Sequence, residues 1–419
     1  MALTSETTLN LTSYAAAIKQ YYKNIDFTQM VYKKFPFFGM IPKNESWVGS
    51  PAVQPITFAT VPSASATFAT GQALAGSSQQ TAFNLTQTKD YAFAYLDRAT
   101  MLASATPDGS WMKSATHEID MAIKEASKRA AFDCFGDGSG VIGTISASST
   151  VSTTVITLAD PRQSANFQVN DALQLVAPGT AVAGAWAAAV RAATTVTVSA
   201  VNRRTGQITC TAAWDTISGA ATGDGIAKSG DFGLKMSGLG AWVPLTTPTS
   251  TAFFSVDRSS DSRLYGMYFD GRGVPYEEAL IAAANQLAQE GSTPDTYIHN
   301  FGNNTNLINA LGAKKTYMRE GEVRAEGADI GYSSVVIEGP NGPIDIVCDP
   351  FCPSNVGYLI QKDTWTLYSR EGVPHIFDIN GDSGQMLRQA TSDSYEVRVG
   401  SYKQIGCGAP GWNSVIQLA

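Results

Sequence analysis

His117-Glu118 stands in a stretch of helical spacing, the way a zinc-protease helix opens, but the position one turn on, where a second ligand belongs, is Met121. Gly381-Asp382-Ser383-Gly384 has the form of a serine-protease nucleophile loop. It continues with Gln385 rather than glycine, and the histidines upstream, His117 and His299, fall on a helix and at a strand end. Asp378, Asn380 and Asp382 take the first, third and fifth positions of a calcium loop whose glycine is replaced by Ser383 and whose closing glutamate is replaced by Gln389. Cys348 and Cys352 are the close cysteine pair, spaced too widely for a redox or zinc knuckle, and the next histidine along the chain is His375. Gly136-Asp-Gly-Ser-Gly140 follows a helix rather than a strand, the wrong context for cradling a phosphate. Three histidines in 419 residues leave few carriers for acid–base chemistry near neutral pH. Each catalytic or metal motif is present by half. The sequence therefore argues against an enzyme and implies no catalytic residue, no metal and no cofactor.

The elements that would have to position such residues read more clearly. Thr106 can cap a helix, Pro107 suits its first position, and Asp108 suits its positive end. Met112, Ala115, Ile119, Ala122, Ile123, Ala126, Ala130 and Cys134 then recur at threes and fours, and Gly136 closes the run. Met112, Ile119 and Ile123 are expected on the packing stripe of one helix of about 28 residues, roughly 40 Å long. Asp120–Lys124 and Glu125–Arg129 are expected as i,i+4 pairs on its solvent side.

Residues 1–46 read as an arm. Ser13–Lys23 has helical spacing, and Phe35, Phe37, Phe38 and Met40 crowd its end. So many aromatics must be buried, on the parent domain or on a neighbouring subunit. Residues 47–104 read as one long hairpin. Ile56 and Phe58 alternate on one arm, Phe83 begins the other, and a small-residue tip carrying Phe68 lies between. A two-stranded hairpin is marginal alone in water, so it is expected to lie on something else. Phe35, Phe37, Phe38, Phe58, Phe68 and Phe83 are the candidate assembly contacts. Residues 141–231 change to Thr, Ala, Val, Ser and Gly, with strand candidates at 151–158, 172–176, 194–201 and 207–211. They predict a small all-β domain interrupting a larger α+β body. That body resumes over 232–419, with a helix at Tyr276–Gln289 and strands at 296–299, 334–338, 344–348, 357–361 and 395–407.

Composition sets the outer bounds. Charged residues make up 16% against roughly 25% in ordinary soluble domains, so much surface is uncharged or covered by other chains. A net charge of −7 argues against a nucleic-acid grip, which needs a basic face. No apolar run reaches the roughly 18 residues of a membrane span, and five cysteines without a secretory leader read as reduced thiols made in a cytoplasm.

The order of arm, low-charge hairpin, long helix, inserted β domain and α+β body resembles the major capsid (coat) proteins of tailed bacteriophages, with the Hong Kong-type capsid fold. In that likeness Pro107–Phe135 resembles the spine helix and 47–104 the extended loop. Val274–Gln289 with Pro294-Asp-Thr-Tyr-Ile-His299 resembles the axial domain, and Tyr395-Glu-Val-Arg-Val-Gly-Ser-Tyr with Ala409-Pro-Gly-Trp-Asn the peripheral domain and tail. The resemblance implies a subunit assembling with copies of itself, as hexamers and pentamers, into an icosahedral shell around double-stranded DNA. It implies portal, scaffolding and decoration proteins as further partners and only weak, non-specific proximity to the packaged DNA. The expected location is the virion, after assembly in the host cytoplasm. A β-rich tail or adhesin protein, and a hydrolase using Gly381–Gly384, are the alternatives.

Overall fold

A computed structural model of the protein describes residues 35–47, 49, 51–103, 114–179, 186–249, 252–311, 335–377, 387–389 and 392–418. Met112, the Ser13–Lys23 stretch and the Gly381–Gly384 loop lie outside these residues.

Small residues decide how closely the long helix approaches its sheet. The helix Ser114–Asp133 buries Ala122 and Ala126 against Ala94, Leu96, Val397 and Val399. Ile119 and Ile123 flank that alanine track and are half-buried on the same cluster. Under the helix runs the longest strand, Ser394–Cys407. Thr88–Asp97 pairs with it antiparallel on one side, and Trp365–Ser369, His375–Ile376 and Leu387–Arg388 pair on the other. Thr88–Asp97, expected in the hairpin, is therefore part of this sheet. The reason is its alternation: Ala92, Ala94 and Leu96 supply an inner face, while Tyr91, Phe93 and Tyr95 take the outer one.

The hairpin is shorter than expected. Ala52–Ala59 pairs with Gln79–Leu85, and the tip forms a one-and-a-half-turn helix, Phe68–Ala73, rather than a simple turn. Its root is bedded in the main core, where Ile56, Phe83 and Leu85 are buried.

A second, mixed sheet runs Met267–Asp270, Ser414–Gln417, Val356–Ile360, Thr296–His299, Gly342–Cys348, Val335–Gly339. Helix Tyr276–Gln289 covers one face through Leu280, Ala283, Ala284 and Leu287, and the other face closes onto the main core through Ile298, Val356 and Tyr358. Helix Phe301–Leu311 is capped by Asn300, whose side chain accepts the Gly302 amide at 3.0 Å.

The segment between helix and body closes on itself. Six antiparallel strands follow the order Val141–Thr144, Gly225–Lys228, Ala172–Pro178, Val196–Asn202, Gln207–Cys210, Val155–Thr157, with Trp186–Val190 added at Ala172–Pro178. The first and last strands then meet, Ser146 N donating to Thr157 O and Ala159 N to Thr144 O, both at 2.9 Å, which makes a small barrel. Its interior holds Phe167, Leu175, Val198, Ile208, Trp214 and Ile226, a core separate from that of the body. The chain enters and leaves by a two-stranded neck, where Asp137 bridges Ser237 and Gly238 N donates to Gly136 O.

Candidate functional site

The Asp378–Asp382 set and the Gly381–Gly384 loop lie outside the described residues, and among the described residues no three His, Cys, Asp or Glu side chains are grouped to hold a metal. One contact was invisible in the spacing. Parallel pairing sets His299 beside Cys348, with Cys348 Sγ 3.3 Å from His299 Nε2, so the nearest histidine is not His375. His299 Nδ1 meets the Tyr276 hydroxyl at 2.8 Å, and that hydroxyl meets Tyr297 at 2.9 Å. Burial pushes the imidazole down to about 4, which makes it a poor base, and burial pushes the Cys348 thiol up. The chain of four groups is thus neutral near pH 7. A thiolate nucleophile needs the opposite shifts.

The residues predicted for assembly divide sharply. Phe37 and Phe83 are buried within the chain's own core, Phe37 against Phe135 and Phe83 against Trp242 at ring separations of 5.1 and 4.9 Å. Phe38 is buried beside them with the Lys43 ammonium over its ring. Phe35 is half-buried on Phe351, and Phe58 is half-buried at the edge of the same core. Pro36–Met40 folds as a short helix over the long helix, and Phe37, Phe38 and Phe83 pack into the core of their own domain. Phe68, by contrast, is 86% exposed on the hairpin tip.

Phe68 has company. Val61 and Leu74 beside it are exposed, and no charged residue occurs between Glu45 and Lys89. A second apolar surface lies on the outer face of the long-strand sheet. Tyr95, Phe93 and Tyr91 stand in a row, with successive ring separations of 6.4 and 6.5 Å, and Tyr402 and Phe377 extend it from Tyr91 at 6.3 and 5.9 Å. Gly400 is what lets Phe377 lie across the strand, since a Cβ there would stand 2.6 Å from the ring. Assigning residues 88–97 to the hairpin hid this row. Its period-two alternation, Tyr-Ala-Phe-Ala-Tyr-Leu, was the available signal.

Behind that face the charges run the other way. Lys403 is nearly inaccessible and lies 3.4 Å from Asp90 and 3.6 Å from Asp133. Arg129 reaches Asp90 at 3.1 Å and Asp231 at 2.6 Å, and Lys235 reaches the same two. Burial pushes Asp133 up, whereas at Asp90 the cations of Lys403, Arg129 and Lys235 outweigh burial and hold the carboxyl down. Glu125 pairs with Lys228 of the barrel at 3.5 Å. Glu125 and Arg129, expected on the solvent side, thus face the joint between helix, sheet and barrel, because partners far along the chain are better placed than water. The joint holds a cleft of about 40 Å³ lined by Lys128, Asn166 and Phe351 among others.

Buried charged groups thus neutralise one another, and apolar surface is left on a projecting tip and on one sheet face. The chain aligns with the cyanophage A-1(L) capsid asymmetric unit at a TM-score of 0.59 and 12% identity, covering 95% of this chain and 96% of that one. The capsid of an empty GTA particle follows at a TM-score of 0.45 and 8% identity, with full coverage of both chains. No curated protein matches. The family model of the SU10 major capsid protein matches residues 22–378, and the chain belongs to that family. It is a major capsid protein with the phage capsid fold, α+β, and its place is the virion.

Proposed function

We propose that the chain builds an icosahedral shell of hexamers and pentamers by laying its uncharged hairpin on a neighbouring copy, with the aromatic row of Tyr91, Phe93 and Tyr402 as the seat for the tip. One observation carries this: a projecting element without a single charge ends in a phenylalanine that is 86% exposed. An apolar tip of that kind gains only when another surface removes it from water. The interface summed over one subunit then exceeds the roughly 1,600 Å² of a standard protein pair. The role is architectural rather than catalytic. Portal, scaffolding and decoration proteins meet the same shell. Packaged DNA rests against a wall whose low, negative charge does not hold it, since binding scales with the phosphates neutralised. Assembly belongs in the host cytoplasm, where the free thiols stay reduced.

The test is negative-stain electron microscopy of Phe68→Asp and Phe93→Asp beside the parent chain. The expected result is soluble, folded subunits that form no shells. Shells at parental yield from Phe68→Asp would overturn the hairpin reading, and shells from Phe93→Asp alone would overturn the seat.

A further inference from the structure

The barrel hangs on a neck rich in glycine. Its two strands, near residues 136–140 and 230–237, carry Gly138, Gly140, Gly230 and Gly233, all at positive φ. Asp231 and Lys235 tie the neck to Arg129 and Asp90. Beyond the neck, one short element of the barrel reaches the mixed-sheet body, the 3₁₀ turn Pro161–Asn166. At its start, Asp160 caps the turn by accepting the Arg162 amide at 2.9 Å through Oδ1, while Oδ2 accepts the Ser354 hydroxyl at 2.5 Å. Ser354 follows strand Gly342–Cys348 of the mixed sheet, and its carbonyl accepts from buried Asn303 of helix Phe301–Leu311 at 2.8 Å. The Arg162 guanidinium lies against Gly302 of the same helix, where a Cβ would come within 2.4 Å. At the end of the turn the Ala165 carbonyl accepts from Lys128 of the long helix at 3.3 Å. Just beyond it, Gln168 Nε2 donates to Glu125 at 2.8 Å.

We propose that the turn Pro161–Asn166 is a latch that fastens the barrel to the long helix and to the mixed-sheet body at once, so that the barrel has a latched and an unlatched position about its glycine neck. Three features argue for a latch rather than a fused domain. The barrel core is separate from the body core. The joint between them carries ion pairs and hydrogen bonds, among them Glu125–Lys228, Gln168–Glu125 and Lys128–Ala165. The turn and the residues beside it supply most of the fastening contacts, joined by the Glu125–Lys228 pair. An interface of ion pairs and single hydrogen bonds opens at far lower cost than an apolar one, and a separately folded barrel survives the opening.

Hydrogen exchange on the full-length chain tests it. Ser354→Ala removes the hydroxyl donor on the body side. Lys128→Met removes the ammonium on the helix side. Gly302→Ala displaces the Arg162 guanidinium without altering any barrel residue. The expected result is faster exchange, by about tenfold, through the whole turn and both neck strands for each variant, with protection in the barrel strands 172–178 and 196–202 unchanged. The double variant Ser354→Ala/Lys128→Met should raise exchange in the same turn and neck strands by about a hundredfold, because both contacts are lost in one opening and their effects add. Exchange that rises only beside the altered residue, or a different set of amides opened by each variant, would overturn the latch. Loss of protection in the barrel strands from Ser354→Ala would overturn it too, by showing that barrel and joint are one folding unit.

Discussion

The hairpin and the inserted barrel are both antiparallel β structure of low charge, yet they meet the problem of exposed edges in opposite ways. The barrel closes, with its first and last strands hydrogen-bonded to each other and Leu175, Val198, Ile208 and Ile226 wholly buried inside. It is finished within one chain. The hairpin has two strands and no interior. Phe83 and Leu85 anchor its root in the body core, and everything from Thr60 to Ser78 is exposed or only partly covered. In the proposed shell it is finished by a neighbour. The same residue type, phenylalanine, marks both conditions: Phe167 in the barrel and Phe83 at the root are fully buried, and Phe68 at the tip is open.

That contrast can be attacked from its strong end first. Phe83→Ala should cost about 3–5 kcal/mol, measured by denaturant unfolding of unassembled subunits, because it empties a site walled by Trp242 and Phe253. A cost below about 1 kcal/mol would mean that the root is as loose as the tip. Leu175→Ala should cost about 2–5 kcal/mol and appear as an earlier transition of the barrel alone, with the body unfolding at its parental midpoint. If both transitions move together, barrel and body are one cooperative unit.

Acid probes the body, which belongs to neither region. The His299 imidazole is held at about 4 by burial, below its ordinary value near 6.5, so the unfolded chain takes up a proton that the folded one refuses. The corresponding stability is complete above about 6.5 and drains away as pH falls toward 4, about 3 kcal/mol in all. His299→Gln should flatten that part of the stability curve relative to the parent. Parallel curves for the two proteins would show that other carboxylates account for the acid loss. The smallest effect belongs to the tip: Phe68→Ala should change subunit stability by no more than about 0.5 kcal/mol while sharply lowering shell yield. A large loss of subunit stability would place Phe68 inside its own fold.

Much of the fold could be read from local pattern. The alanine and isoleucine track over 119–130, the amphipathic run Tyr276–Gln289 and the strands around 296–299 and 344–348 all lie where spacing places them. Three barrel strands went unread, 141–144, 186–190 and 225–228, because glycine and alanine give no alternation to count. Of the candidate assembly contacts, Phe68 is the one left widely exposed. Periodicity tells which residues of a strand share a face, but not what covers that face, so Phe37 and Phe83 looked as available as Phe68. Contacts that depend on pairing between distant strands were out of reach altogether. His299 and Cys348 are 49 residues apart, and Arg129 and Asp231 are 102 apart.

The neck has a consequence for the order in which the chain takes shape. Cys134 and Leu239 are joined by a hydrogen bond of 2.7 Å across the neck, and Trp242, three residues on, fills the centre of the body core. An unfolded segment of about a hundred residues would have to be looped to bring them together. Closing it costs about 2 kcal/mol more than closing a loop of about ten. A barrel that forms first removes that difference, since its two ends already lie side by side. The inserted domain then acts as a staple set during folding, ahead of the core it interrupts. Its kinetic sign would be a barrel variant such as Leu175→Ala that slows the burial of Trp242 on refolding, and unchanged refolding of the body would dismiss the idea.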